Sequence, residues 1–78
     1  MIQGLGERLL EKRLACKLTQ AQVAQRIGVT PSAICFFEKG ESVPSLISIS
    51  RLARVYHCSI DYLITGKEFQ PKKDDTFF

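Results

Sequence analysis

The sequence predicts an all-α fold of five short helices. Two observations carry that prediction. Helix-start residues recur along the chain, each followed by apolar residues at i, i+3 and i+4 spacing. No run alternates apolar and polar residues for longer than chance, and no Asn-Gly or Asp-Gly pair marks a hairpin turn.

The first helix is expected from about Leu5 to Lys17. Leu5 and Leu9 mark its inner face, and Cys16 continues that face. Leu10 and Leu14, also four residues apart, are read as widening the core stripe; an apolar interaction patch is the other reading. The second helix opens at Thr19, with Gln22 three residues on. That is a capping box, in which hydroxyl and amide satisfy each other's free backbone N–H groups. Gly28 stands where the chain leaves this helix, a place for a left-handed residue. The third helix opens at Thr30, and Pro31 follows at the first helical position, where a missing N–H costs nothing. Leu18 with Val23, and Val29 with Ile34, have the spacing of hydrophobic staples. Two capped helices joined by a tight turn over residues 19–39 make a helix-turn-helix, a unit that places one helix in the DNA major groove.

After Gly40 the segment ESVP is a loop. Pro44-Ser45 starts the fourth helix with Ser45 as its cap, and Leu46, Ile49, Leu52, Ala53 and Tyr56 follow at helical spacing up to His57. Cys58-Ser59 restarts the chain, and Ile60, Leu63 and Ile64 form the apolar side of a last helix ending at Gly66. Residues 67–78, KEFQPKKDDTFF in their order after Gly66, are charged, contain a Pro and lack helical period; they read as a flexible tail behind a domain of residues 1–66.

The chain has 78 residues, enough for one domain with a modest core and too few for a substrate pocket on a catalytic scaffold. Its formal net charge is +3, which permits nucleic-acid binding without demanding it. The tail is neutral, so the excess lies on residues 1–66. No apolar run approaches the ~18 residues of a membrane span, and the N-terminus lacks a signal-peptide pattern; a cytoplasmic protein is expected. Cys16, Cys35 and Cys58 are odd in number and widely spaced, so reduced thiols are expected rather than a disulfide framework or a metal site. Cys35 flanks the outer face of the third helix, but no basic neighbour in sequence marks it as an activated thiol. His57, the single histidine, reads as a helix C-terminal cap. Paired carboxylates, a glycine-rich phosphate loop and a nucleophile with a base are all absent, so no catalytic residue, metal, cofactor or small-molecule ligand is expected.

Several separated pieces then carry a family resemblance. They are LTQ before a Val-Ala pair, I-G-V-T, an Ile followed by an aromatic and Glu, a Gly soon after, P-S opening the next helix, and I-D-Y-L near the end. In this order and spacing they resemble the lambda-repressor-like helix-turn-helix domain of the Cro/CI type (Xre family), from near Leu5 to near Gly66. The resemblance implies a compact five-helix bundle and a DNA-binding transcriptional regulator, repressor-like, working as a homodimer on a palindromic operator in double-stranded DNA.

Wheel geometry places Ile34, Phe37 and Glu38 on one side of the third helix. Ser32, Phe36 and Lys39 form a single stripe on the other, expected to face outward. Ser32 and Phe36 are then aimed at base edges, while Lys39 and the loop through Ser42 lie over a phosphate backbone. By resemblance, Gln20 grips a backbone phosphate, and Thr30, Pro31, Ser32, Ala33 and Phe36 hold the groove-facing positions. Arg13 and Glu38 match a partly buried ion pair between the first and third helices.

The reading face departs from the family pattern. Similar domains often carry Arg, Gln or Asn where this chain has Pro31 and Phe36, residues that make bidentate bonds to purines. Proline and phenylalanine make none. Phe36 has three readings: contact with thymine methyl groups, folding back onto the bundle edge, or a protein contact. The expected specificity therefore leans on DNA shape and dimer spacing. The alternative function is a protein-interaction module on the same fold, with DNA contacts weakened or lost.

Overall fold

Side-chain caps set the helix boundaries. The computed structural model describes residues 3–67, which form α1 (Leu5–Ala15), α2 (Gln20–Ile27), α3 (Pro31–Lys39), α4 (Leu46–Val55) and α5 (Ile60–Thr65), with no strand among them. The hydroxyls of Thr19, Thr30, Ser45 and Ser59 each accept from the backbone N–H three residues on, which fixes the first turns of α2 to α5. At α2 the box is complete, because Thr19 N–H also donates to Gln22 Oε1 at 2.8 Å. Gly28 ends α2 with φ +79° and turns the chain into α3.

The first and fourth helices stop differently. The sequence places the end of the first helix at Lys17, but the helix ends at Ala15 with Cys16 as its cap. Lys17 itself adopts φ +58°, and Leu18 N–H turns back to Arg13 C=O at 3.1 Å. His57 does the same after α4, at φ +54°. Both are left-handed stops made by a non-glycine residue, with the backbone bonds that follow supplying the compensation.

The core gathers one stripe from every helix: Leu5 and Leu9; Val23, Ala24 and Ile27; Ile34 and Phe37; Ile49, Leu52 and Ala53; and Leu63, with Tyr56 from the turn after α4. Each large side chain buried here contributes about 1.5–3 kcal/mol. Leu18 and Val29, the outer halves of the two staples, pack against this cluster. In the resulting frame α3 rests on α1 and α2, α4 on α2, and α5 on α1 and α4.

Leu10 and Leu14 do not widen the core. They are 37% and 59% exposed. The helical wheel explains the difference. One flank of α1 meets α3 through Gly6 and Arg13, and the other meets α5 through Arg8. Leu14 points opposite Leu5, and Leu10 falls beyond the α3 flank. The aromatic tail residues Phe69, Phe77 and Phe78 lie outside the described residues, as does all of the expected tail except Lys67.

Among the described residues, Tyr56 is the one core residue with a polar atom left over. Its ring is buried and its hydroxyl has no hydrogen-bond partner. Burial, and then the neighbouring Glu38 carboxylate, push its ionisation well above the ordinary tyrosine range. Removing an unpaired buried hydroxyl leaves shape intact, so Tyr56→Phe is expected to be neutral or stabilising, by up to about 1 kcal/mol in urea unfolding at pH 7. The folded state holds the proton more tightly than the unfolded chain. Stability is therefore whole below about pH 10 and falls as pH rises beyond it. The Phe variant should lose less stability across that alkaline range. A loss above about 1 kcal/mol at neutral pH would show that the hydroxyl is bonded after all.

Candidate nucleic-acid interface

The candidate surface is built on α3 and held at its angle by one ion pair. Arg13 Nε donates to Glu38 Oε2 at 2.7 Å, and Arg13 Nη2 donates to Glu38 Oε1 at 3.2 Å, a fork that ties α1 to α3. The side chains are 12% and 5% exposed. Arg13 Nη1 also donates to Leu18 C=O at 2.9 Å, so the same guanidinium anchors the entry to α2. The hydrogen bond that Arg13 donates to Glu38, against the cost of burial, raises the Arg13 ionisation above its ordinary value. Its charge is fixed across all working pH.

Gln20 joins this pair. Its Nε2 donates to Glu38 Oε1 at 3.0 Å, which pins the first turn of α2 to α3. A primary amide has two N–H groups, and one remains beyond the bond to Glu38. Because Gln22 N–H is taken by Thr19, the unpaired donors at this end are the first amides of α2, a place suited to an anion.

Wheel geometry and burial agree on which way α3 faces. Ile34 and Phe37 are in the core, while Thr30, Pro31, Ser32, Phe36 and Lys39 are exposed. Phe36 is 47% exposed, so it is not folded away onto the bundle. Ala33 is half-buried and packs on the core, which leaves it a smaller part of the outer face than Ser32. Ser42 is exposed on the loop that follows Gly40. The arrangement thus brings Gln20, Arg13 and Glu38 into one bonded group, with Ser32, Phe36 and Lys39 as a separate outward stripe.

Two supporting residues escape a reading of the sequence. Arg8 donates through Nε to Leu63 C=O and through Nη2 to Ile64 C=O, both at 2.9 Å, which stitches α1 to the end of α5. Gly6 sits where α1 crosses the end of α3; a Cβ there would lie 2.6 Å from the Glu38 carbonyl oxygen. Nothing in local spacing signals either role.

A comparison with known families decides the kinship. The helix-turn-helix model HTH_3 matches residues 9–63. This chain belongs to that helix-turn-helix family, of the Cro/CI (Xre) type. Within the family it is similar to the repressor protein C2 of Salmonella phage P22, 34% identical over 64 residues that cover 82% of this chain and 30% of that protein. It is also similar to the cryptic phage CTXphi transcriptional repressor RstR of Vibrio cholerae, 37% identical over 59 residues that cover 76% of this chain and 53% of RstR. The chain therefore spans about a third to a half of these relatives' length. Among solved structures, the P22 c2 repressor in complex with the synthetic operator 9T matches with a TM-score of 0.78 and 33% identity, over 81% of this chain and 96% of that one. Members of this family are DNA-binding transcriptional regulators rather than enzymes. No helix among the described residues is long and apolar enough to cross a membrane.

Proposed function

We propose that this chain is a sequence-specific DNA-binding transcriptional regulator, which inserts α3 into the major groove of double-stranded DNA. The observation that carries this reading is the outward stripe Ser32–Phe36–Lys39 on a helix locked to the bundle, in a fold that matches a repressor bound to operator DNA. In this reading Ser32 and Phe36 meet base edges, with Thr30, Pro31 and Ala33 beside them at the start of the helix. Gln20 and the first amides of α2 hold one phosphate strand; Lys39 and the loop through Ser42 lie over the other. Phe36 contributes apolar contact with thymine methyl groups.

The regulator acts in the cytoplasm as a homodimer on a palindromic operator, with its two reading helices ~34–36 Å apart. In this reading the DNA-binding domain spans residues 1–66. The sparse polar equipment of α3 supports the dimer, since spacing and shape must supply selectivity that Pro31 and Phe36 do not.

The test is a mobility shift on the duplex upstream of the chain's own gene, titrated with salt. Several phosphate contacts should make log affinity fall linearly with log salt, with a slope of about −0.9 per contact. Affinity that stays flat across the titration would overturn the phosphate-gripping arrangement and favour a protein-interaction module through exposed Phe36.

A further inference from the structure

The excess charge of this domain is not on its reading helix. Residues 3–66 hold eight Arg and Lys against five Asp and Glu. Three of those cations, Arg26 of α2 with Arg51 and Arg54 of α4, converge with Val55 on one cleft of about 290 Å³. The other five equal the five acids in number, so without these three arginines the stretch would be neutral. Neither α2 nor α4 contains an Asp or Glu. Arg51 Nη1 is engaged by Ile27 C=O at 3.1 Å, which closes the end of α2. Arg26 and Arg54 are exposed and carry no ion pair among the described residues.

Basic residues in a last helical turn complement the helix dipole, and Arg26 and Arg54 each stand in one. That accounts for each separately. It does not account for three arginines from two helices lining one cleft that no acidic residue lines. Like charges so placed repel, and a shared anionic partner relieves the repulsion. Guanidinium forks take carboxylates in paired hydrogen bonds, and the half-buried Val55 adds an apolar side chain to the lining.

The cleft is lined by residues of α2 and α4 and by none of α3. Helix α2 packs on α3 and also on α4, whereas α3 and α4 make no comparable packing. The cleft therefore shares no residue with the reading helix. We infer that the Arg26–Arg51–Arg54 cleft is a docking site for an acidic peptide segment of a partner protein, one that presents carboxylates around an apolar side chain. The inference does not depend on which DNA sequence α3 reads.

The experiment uses the full chain and a fluorescent synthetic peptide of glutamates flanking one leucine, followed by anisotropy in 0.15 M salt, where screening over about 8 Å confines the readout to local contacts. Binding is expected to the unaltered chain and to weaken about tenfold or more in Arg26→Gln/Arg54→Gln, which spares the Arg51 bond to Ile27. Replacing the glutamates by glutamine should abolish it. The same variant should bind duplex DNA as the unaltered chain does. Absence of peptide binding, or equal binding by the variant, would overturn the proposal. So would loss of duplex affinity in the variant with a salt slope smaller by about 2, which would make the cleft a phosphate contact instead.

Discussion

Replacing Glu38 by alanine should destabilise the domain by about 3–5 kcal/mol, because it leaves the Arg13 guanidinium buried with only a carbonyl for company. Domains of this size are stable by only about 5–15 kcal/mol, so the variant stands near its unfolding threshold. Thermal unfolding should show a fall of more than about 12 °C, at 4–8 °C per kcal/mol for a domain this small. The effect comes from stranding one charge rather than from any great worth in the pair. A well-packed apolar replacement for both partners, Arg13→Met with Glu38→Leu, should therefore recover most of the loss. The double variant separates stability from binding. The bundle returns, but Gln20 has lost the carboxylate oxygen that holds its amide, so duplex affinity stays below that of the unaltered chain. If Glu38→Ala unfolded within a few degrees of the unaltered chain, the pair would be a surface contact and the fixed angle of α3 would need another cause.

The second large effect concerns Gly6→Ala, where two influences oppose each other. Alanine is the better helix former by about 1 kcal/mol in a helix interior and by less in the first turn of α1, where Gly6 stands. Against that, its methyl would lie 2.6 Å from the Glu38 carbonyl oxygen, 2.8 Å from that of Phe37 and 3.0 Å from the Glu38 carbonyl carbon. These are backbone atoms of α3 and cannot swing aside as a side-chain tip can. Overpacking against such a wall costs about 3 kcal/mol, the upper part of the usual range, so the clash wins by about 2 kcal/mol. The expected melting temperature drops by roughly 8–16 °C. Since α1 must lift from the end of α3, the Arg13–Glu38 fork should stretch as well, and duplex binding should weaken with stability. A Gly6→Ala variant as stable as the parent would mean that the helices slide apart at little cost.

These two residues also show what was legible in the sequence and what was not. Helix starts were legible because the chemistry is local: Thr19 with Gln22, Thr30 with Pro31, and Ser45 each act within three residues. Helix ends were legible where glycine marks them, as at Gly28, and misplaced at Lys17, whose left-handed backbone has no compositional sign. The outward stripe of α3 followed from helical period alone, and the structure gives it the same direction. Period states which residues share a face, not which faces a neighbour covers, and so Leu10 and Leu14 were assigned to a core that stops short of them. Gly6 is a bare propensity cost until α3 is known to cross there. Arg8 reaches carbonyls 55 and 56 positions away, a link no local pattern records. The Arg13–Glu38 pairing, 25 positions apart, came from resemblance and not from spacing.

One measurement tests the central claim most directly. A duplex enriched from a random library by the unaltered chain would be titrated into isotopically labelled protein, and backbone amide shifts followed residue by residue. The account predicts that the largest changes fall at Gln20 and along residues 30–42, with Ser32 and Phe36 among them, while α4 and α5 stay nearly still. Changes centred on α4 and α5 with residues 30–39 unmoved, or no enriched duplex at all, would contradict it.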